Sequence, residues 1–125
     1  MALILIVDDS SYMRSRIRCA LKAEGYDILE AENGYKCFQM IQEHSPDCII
    51  LDLILPEVDG LKVLKALHDQ QSEIPVVVVT ADIQESVREQ CLELGAKAFI
   101  NKPPKEDELR NTVKNILDLK KEATQ

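Results

Sequence analysis

Five side chains in this sequence have the chemistry to hold a phosphoryl group or a hard metal ion, and each follows a short apolar run. Asp8 and Asp9 follow Leu3-Ile4-Leu5-Ile6-Val7, and Asp52 follows Cys48-Ile49-Ile50-Leu51. Thr80 follows Val76-Val77-Val78-Val79, and Lys102, with Pro103 directly after it, follows Ala98-Phe99-Ile100-Asn101. Strands buried on both faces read as unbroken apolar runs, and parallel strands end along one edge of the sheet. Ligands of open α/β sheets bind at that edge. Three carboxylates, a hydroxyl and an amine from distant parts of the chain are therefore expected to converge.

Asp8, Asp9 and Asp52 would repel one another in one cleft unless a cation relieved the repulsion. With oxygen ligands only, a hard ion such as Mg²⁺ (or Mn²⁺) fits, and it keeps several waters and shares a phosphate oxygen. Asp9 alone reads equally as a helix N-cap, but capping does not explain two acids after one apolar strand and a third after another. Asp52 is flanked by apolar residues on both sides, where an isolated carboxylate is costly to desolvate without a partner or role. A carboxylate can attack phosphorus to give an aspartyl phosphate. Thr80 can offer its hydroxyl to a phosphoryl oxygen, although a strand-end or capping threonine is the ordinary reading of it in isolation. Lys102 supplies a mobile cation. Pro103 and Pro104 mark a sharp turn that aims it, and a cis Lys102–Pro103 bond is expected, since cis bonds are found mostly before proline.

Five alternations of strand and helix would position these groups. After Asp9, Ser10 or Ser11 can cap a helix whose Met13, Ile17, Ala20 and Leu21 share one face, closed by Gly25. A weaker strand from Tyr26 to Ala31 leads through the Asn33-Gly34 turn to a helix carrying Cys37, Phe38 and Ile41, which stops before Pro46. The third strand spans about Asp47 to Leu51, and a loop, Leu55 to Gly60, precedes a helix with Leu61, Leu64 and Leu67. After Pro75 comes the fourth strand, then a helix marked by Ile83, Val87, Cys91 and Leu94 and closed by Gly95. The fifth strand runs from Ala98 to Asn101, and the last helix carries Leu109, Val113, Ile116 and Leu117. Lys120 to Gln125 reads as a fraying polar tail. The pattern implies right-handed βαβ units and a parallel sheet with helices on both faces, forming one domain over residues 1–125.

The 125 residues are 46% hydrophobic and 30% charged, with a net charge of −7. That balance describes a soluble acidic protein and argues against broad binding to the nucleic-acid backbone. The local basic group Arg14, Arg16, Arg18 and Lys22 reads as a solvated helix face. Cys19, Cys37, Cys48 and Cys91 form no C-x-x-C pair and lie near neither His44 nor His68, so they read as small buried hydrophobes rather than zinc ligands. No signal-like leader or membrane-length apolar run occurs, which points to the cytoplasm.

The Asp8-Asp9 pair, Asp52 with Leu55-Pro56-x-x-Asp59-Gly60, Thr80-Ala81 and Gly95-Ala96-x-Ala98-Phe99-Ile100-x-Lys102-Pro103 together resemble the receiver domain of two-component response regulators. The resemblance covers essentially the whole chain. It implies a flavodoxin-like receiver fold, with five parallel strands in the order 2-1-3-4-5, as in the chemotaxis member of the family, and five helices on both faces. It further implies that Asp52 is the phosphoacceptor, and that Asp8, Asp9, Asp52 and the backbone carbonyl of Ile54 bind the metal. Thr80 and Lys102 would contact the phosphoryl group. Phe99, at the family's aromatic switch position, would turn inward and change the face formed by the fourth helix, fifth strand and fifth helix. By residue type alone Phe99 reads as core. Ile54 and Asp82 occupy positions that tune phosphate lifetime, and Leu55 replaces a frequent methionine of similar volume.

The resulting expectation is a phosphorylation-activated signalling switch, not a turnover enzyme. A sensor histidine kinase or histidine phosphotransfer protein would supply its phosphoryl group, and an unknown downstream protein would read its face. No direct nucleic-acid or membrane binding is expected, and the chain would be a monomer or a phosphorylation-dependent dimer. The alternative is the receiver fragment of a larger DNA-binding or enzymatic regulator, although Met1 and the short tail favour a complete chain. A flavodoxin-like electron carrier is disfavoured because two acids after the first strand would repel a flavin phosphate. A small aspartate-based phosphatase would be separated by turnover on exogenous phosphoesters.

Overall fold

A computed structural model describes residues 1–123. Ten elements alternate strictly: β1 (Leu3–Val7), α1 (Ser11–Lys22), β2 (Asp27–Ala31), α2 (Gly34–His44), β3 (Cys48–Leu51), α3 (Gly60–Asp69), β4 (Val76–Thr80), α4 (Glu85–Glu93), β5 (Ala98–Asn101) and α5 (Glu106–Ala123). The strands form one parallel sheet in the order β2-β1-β3-β4-β5. The register sets Val7 beside Leu51, Leu51 beside Val78 and Thr80 beside Asn101, so the residues that follow these strands share one edge.

The unbroken apolar runs arise because alternate residues of one strand face opposite helical layers. Leu5, Val7, Ile49, Leu51, Val76 and Val78 pack with Cys37 and Met40 of α2, Val63, Leu64 and Leu67 of α3, and Cys91 of α4. Ile4, Ile6, Cys48, Ile50, Val77 and Val79 pack with Ile17, Ala20 and Leu21 of α1, and Leu109, Val113 and Ile116 of α5. β2 is an edge strand, and its charged residues suit an edge, where they discourage pairing with another chain.

Three helices start at the site edge with side-chain caps. Ser10 accepts from Met13 N, Asn33 from Lys36 N and Asp59 from Lys62 N. Asn33 and Asp59, which read from sequence as turn and loop residues, are thus N-caps. Gln84 precedes α4 without a side-chain cap. Gly25 and Gly95 take φ of +88° and +93° just beyond α1 and α4, where a left-handed residue ends the helix.

Four expectations are corrected. Ile83 is not part of α4; it precedes the helix and is 79% exposed. Cys19 is exposed, whereas Cys37, Cys48 and Cys91 are buried. It lies two residues, about 200°, round α1 from buried Ile17. Arg14 and Arg18 are not merely solvated, because both pair with Glu30. Finally, α5 continues through Ala123, and Lys120 Nζ lies 3.3 Å from the Asp47 carbonyl oxygen and 3.7 Å from its carboxylate. The remainder of the expected tail, Thr124 and Gln125, lies outside the described residues.

Candidate functional site

β1, β3 and β5 deliver their terminal residues to one point. Asp8 and Asp52 are 2% and 3% exposed, and Asp9 beside them is exposed. One carboxylate oxygen from each of Asp8, Asp9 and Asp52 falls within 4.8 Å of the others. Lys102 Nζ sits between two of them, 2.7 Å from Asp8 Oδ2 and 2.8 Å from Asp52 Oδ2. Burial works to lower the Lys102 pKa, but hydrogen bonds and charge from Asp52 and Asp8 outweigh it and hold the ammonium above its ordinary value.

The backbone fixes the rest. Asp8 Oδ1 accepts from Ser10 N at 2.9 Å, and Asp52 Oδ1 accepts from Ile54 N at 3.2 Å. Lys102 N donates to the Thr80 carbonyl at 2.9 Å, and the Lys102–Pro103 peptide is cis. A Cβ on Gly60 would lie 2.2 Å from the Asp52 carbonyl oxygen and 2.5 Å from Leu53 Cα, so only glycine lets α3 begin directly against the Asp52 backbone.

The remaining sequence candidates surround this centre. Thr80 is fully buried at the neighbouring strand end, and its Oγ1 accepts from Asp82 N at 3.3 Å. Asp82 is half-buried and accepts from Gln84 N at 3.0 Å. Ile54 is 60% exposed directly after the Asp52 loop turns outward. Phe99 is half-buried, beside Val78 in the sheet, and packs into the cluster shared by α2, α3 and α4. Among the described residues, no hydrogen bond or ion pair joins Thr80, Asp82 or Phe99 to the three carboxylates.

Sequence reasoning missed Arg14 and Glu30. Arg14 Nη1 donates to the Asp8 carbonyl at 2.7 Å, while Arg14 Nε and Arg18 Nη1 reach the two Glu30 oxygens at 3.0 and 2.7 Å. Glu30 shares a face of β2 with Ile28, toward α1, and Arg14 and Arg18 are one helical turn apart, so strand parity and helix spacing together carried a signal for this pairing.

The donor set suits a hard divalent cation: oxygen ligands only, three carboxylates close together, and two of them withdrawn from water. A cavity of about 510 Å³, lined by Met1, Tyr26, Asp47 and Leu117, lies at the opposite edge of the sheet and contains none of these groups.

Residues 4–114 match the response regulator receiver domain family. The chain belongs to that family. This receiver is 34% identical over 116 residues to the chemotaxis protein CheY of Bacillus subtilis, covering 92% of this chain and 97% of that protein. It is 35% identical over 114 residues to the alkaline phosphatase synthesis transcriptional regulatory protein PhoP of the same organism, of which it spans 48%. A CheY-like receiver domain protein from Methanospirillum hungatei superposes with a TM-score of 0.92 at 25% identity, with 98% of both chains covered. No helix among the described residues is long and apolar enough to cross a membrane.

Proposed function

We propose that residues 1–125 act as one receiver unit whose Asp52 accepts a phosphoryl group from a phosphohistidine on a sensor histidine kinase or phosphotransfer protein. The observation that carries this reading is the Lys102 ammonium bridging Asp8 and Asp52 beside a cluster of three carboxylates. An Asp52 oxygen attacks phosphorus, the bond from phosphorus to the donor imidazole nitrogen breaks, and that nitrogen leaves with the electron pair. The residues expected to hold Mg²⁺ or Mn²⁺ are Asp8, Asp9, Asp52 and the carbonyl of Ile54; when bound, the ion polarises the phosphoryl oxygens and offsets the carboxylate repulsion.

The chain's own groups do the rest. The Ile54 amide orients Asp52, and burial restricts water around it. Lys102 transfers its hydrogen bonds from the carboxylates to the arriving phosphoryl oxygens. The Thr80 hydroxyl turns from the Asp82 amide toward the same group, loosening the loop before α4. Phe99 follows inward, and the surface of α4, β5 and α5 changes its preference for a downstream protein. Ile54 stands where it hinders an attacking water, and Asp82 adds negative charge at the rim; together they set the phosphate lifetime. The proposed setting is the cytoplasm.

Incubation with acetyl phosphate and Mg²⁺ should produce an acyl phosphate on the parent protein. Asp52→Asn should abolish it, and persistence of the same labile label in that variant would overturn the assignment.

A further inference from the structure

Asp9 is the least constrained of the three carboxylates. It is exposed, and among the described residues its side chain has no hydrogen bond or ion pair. Its direction must come from the backbone that carries it, and that backbone is held on both sides. Arg14 Nη1 donates to the carbonyl of the Asp8–Asp9 peptide at 2.7 Å, and beyond Asp9 the Ser10 amide donates to Asp8 Oδ1 at 2.9 Å. Arg14 cannot swing away, because its Nε donates to Glu30 Oε1 at 3.0 Å and its side chain is only 16% exposed. Arg18 holds the other Glu30 oxygen at 2.7 Å.

We propose that Arg14, braced by Glu30, is a positioning residue for the divalent-cation site: it fixes the plane of the Asp8–Asp9 peptide and so keeps the Asp9 carboxylate inside the acidic cluster. This inference rests on the reading of that cluster as a metal site. A guanidinium is suited to the task because its planar fork serves the carboxylate and the carbonyl at once, which a lysine ammonium on a flexible stem does not. A bare cation here would also repel the metal, and Glu30 offsets that charge while leaving the hydrogen bond in place. The arrangement is an outer support that aims a ligand without touching the ion.

The test is calorimetric titration of the full chain with MgCl₂. Arg14→Met should weaken Mg²⁺ binding about tenfold or more, as loss of an outer support does. The double variant with Asp9→Asn should bind about as weakly as Asp9→Asn alone, because residues acting through one another are not additive. A merely structural arginine would give additive losses. In EDTA, with no metal present, the Ser10 amide of Arg14→Met should exchange its hydrogen faster than in the parent. Affinity within twofold of the parent in folded Arg14→Met, or an additive double variant, overturns the proposal. If Arg14→Met does not fold, Glu30→Gln replaces it: a smaller loss of the same sign supports the proposal, and parent-like affinity overturns it. Failure of the parent itself to bind Mg²⁺ would instead remove the metal-site reading, and this inference with it.

Discussion

Replacing Lys102 with methionine would remove the ammonium that bridges Asp8 and Asp52 and leave two buried carboxylates facing each other. Hydrogen bonds to charged groups contribute about 1.5–3 kcal/mol each, reduced here because the lysine is partly exposed. Lys102→Met should therefore lower stability by about 2 kcal/mol in EDTA, measured by urea unfolding. That deficit should shrink when Mg²⁺ is added, because an external cation then offsets the carboxylates. Gly60→Ala is the steric counterpart. Its Cβ would overlap the Asp52 carbonyl, which is backbone and cannot rotate away. A loss of about 2 kcal/mol or more, with slower labelling by acetyl phosphate, is expected. At this scale sequence disclosed the types of the site residues but not their contacts. Asp8, Asp52 and Lys102 were visible because each ends an apolar run. The Arg14 contact to the site was hidden because its acceptor is a backbone carbonyl, which leaves no mark in the sequence, even though its pairing with Glu30 left one.

The helices differ in how firmly they are anchored. α1, α2 and α3 have side-chain caps and several buried residues each, whereas α4 has no such cap and buries only Cys91. Asp59→Ala should cost about 1 kcal/mol by freeing the Lys62 amide, checked by thermal unfolding. Gln84→Ser should have the opposite sign, giving a gain of about 0.5–1 kcal/mol and slower amide exchange in α4. A match in stability between Gln84→Ser and its parent would show that the Asp82 contact to the Gln84 amide already serves as the cap. β1, β3 and β4 were legible because nearly complete burial leaves their runs uninterrupted by polar residues, whereas β2, with Asp27 and Glu30 at the sheet edge, gave a weaker signal. The start of α4 was not: Ile83 fits the helical spacing of Val87, Cys91 and Leu94, yet it falls before the first helical turn, and spacing alone does not show where the backbone begins to coil.

For the whole molecule, the buried cysteines set a limit at alkaline pH. Burial pushes the Cys37 thiol up to about 12, and burial, partly offset by Lys120, does the same for Cys48. Between pH 9 and about 12 the unfolded chain loses these protons while the folded chain keeps them. Stability should therefore be unaffected by these thiols below pH 9 and fall above it, by about 1.4 kcal/mol per pH unit for each. Lys102, with its raised value, adds a loss only as pH climbs past the ordinary lysine range. Urea midpoints from pH 8 to about 10.5 would check this, and Cys48→Ala should flatten the decline. The layered architecture was readable from the alternation of elements. The strand order was not, because alternation does not say on which side of β1 each later strand is laid, and it entered through family resemblance.

The unequal anchoring of the helices has a mechanical consequence. The α1 and α5 layer grips the sheet through six buried residues and the ion pairs of Arg14 and Arg18 with Glu30 of β2, while α4 rests on one buried sulfur and a few half-buried neighbours. The molecule is therefore stiff on one side and compliant at one corner. A disturbance at the shared strand edge would deform the corner that resists least, so the direction of the response is set by where the structure is soft rather than by any contact that pulls it there.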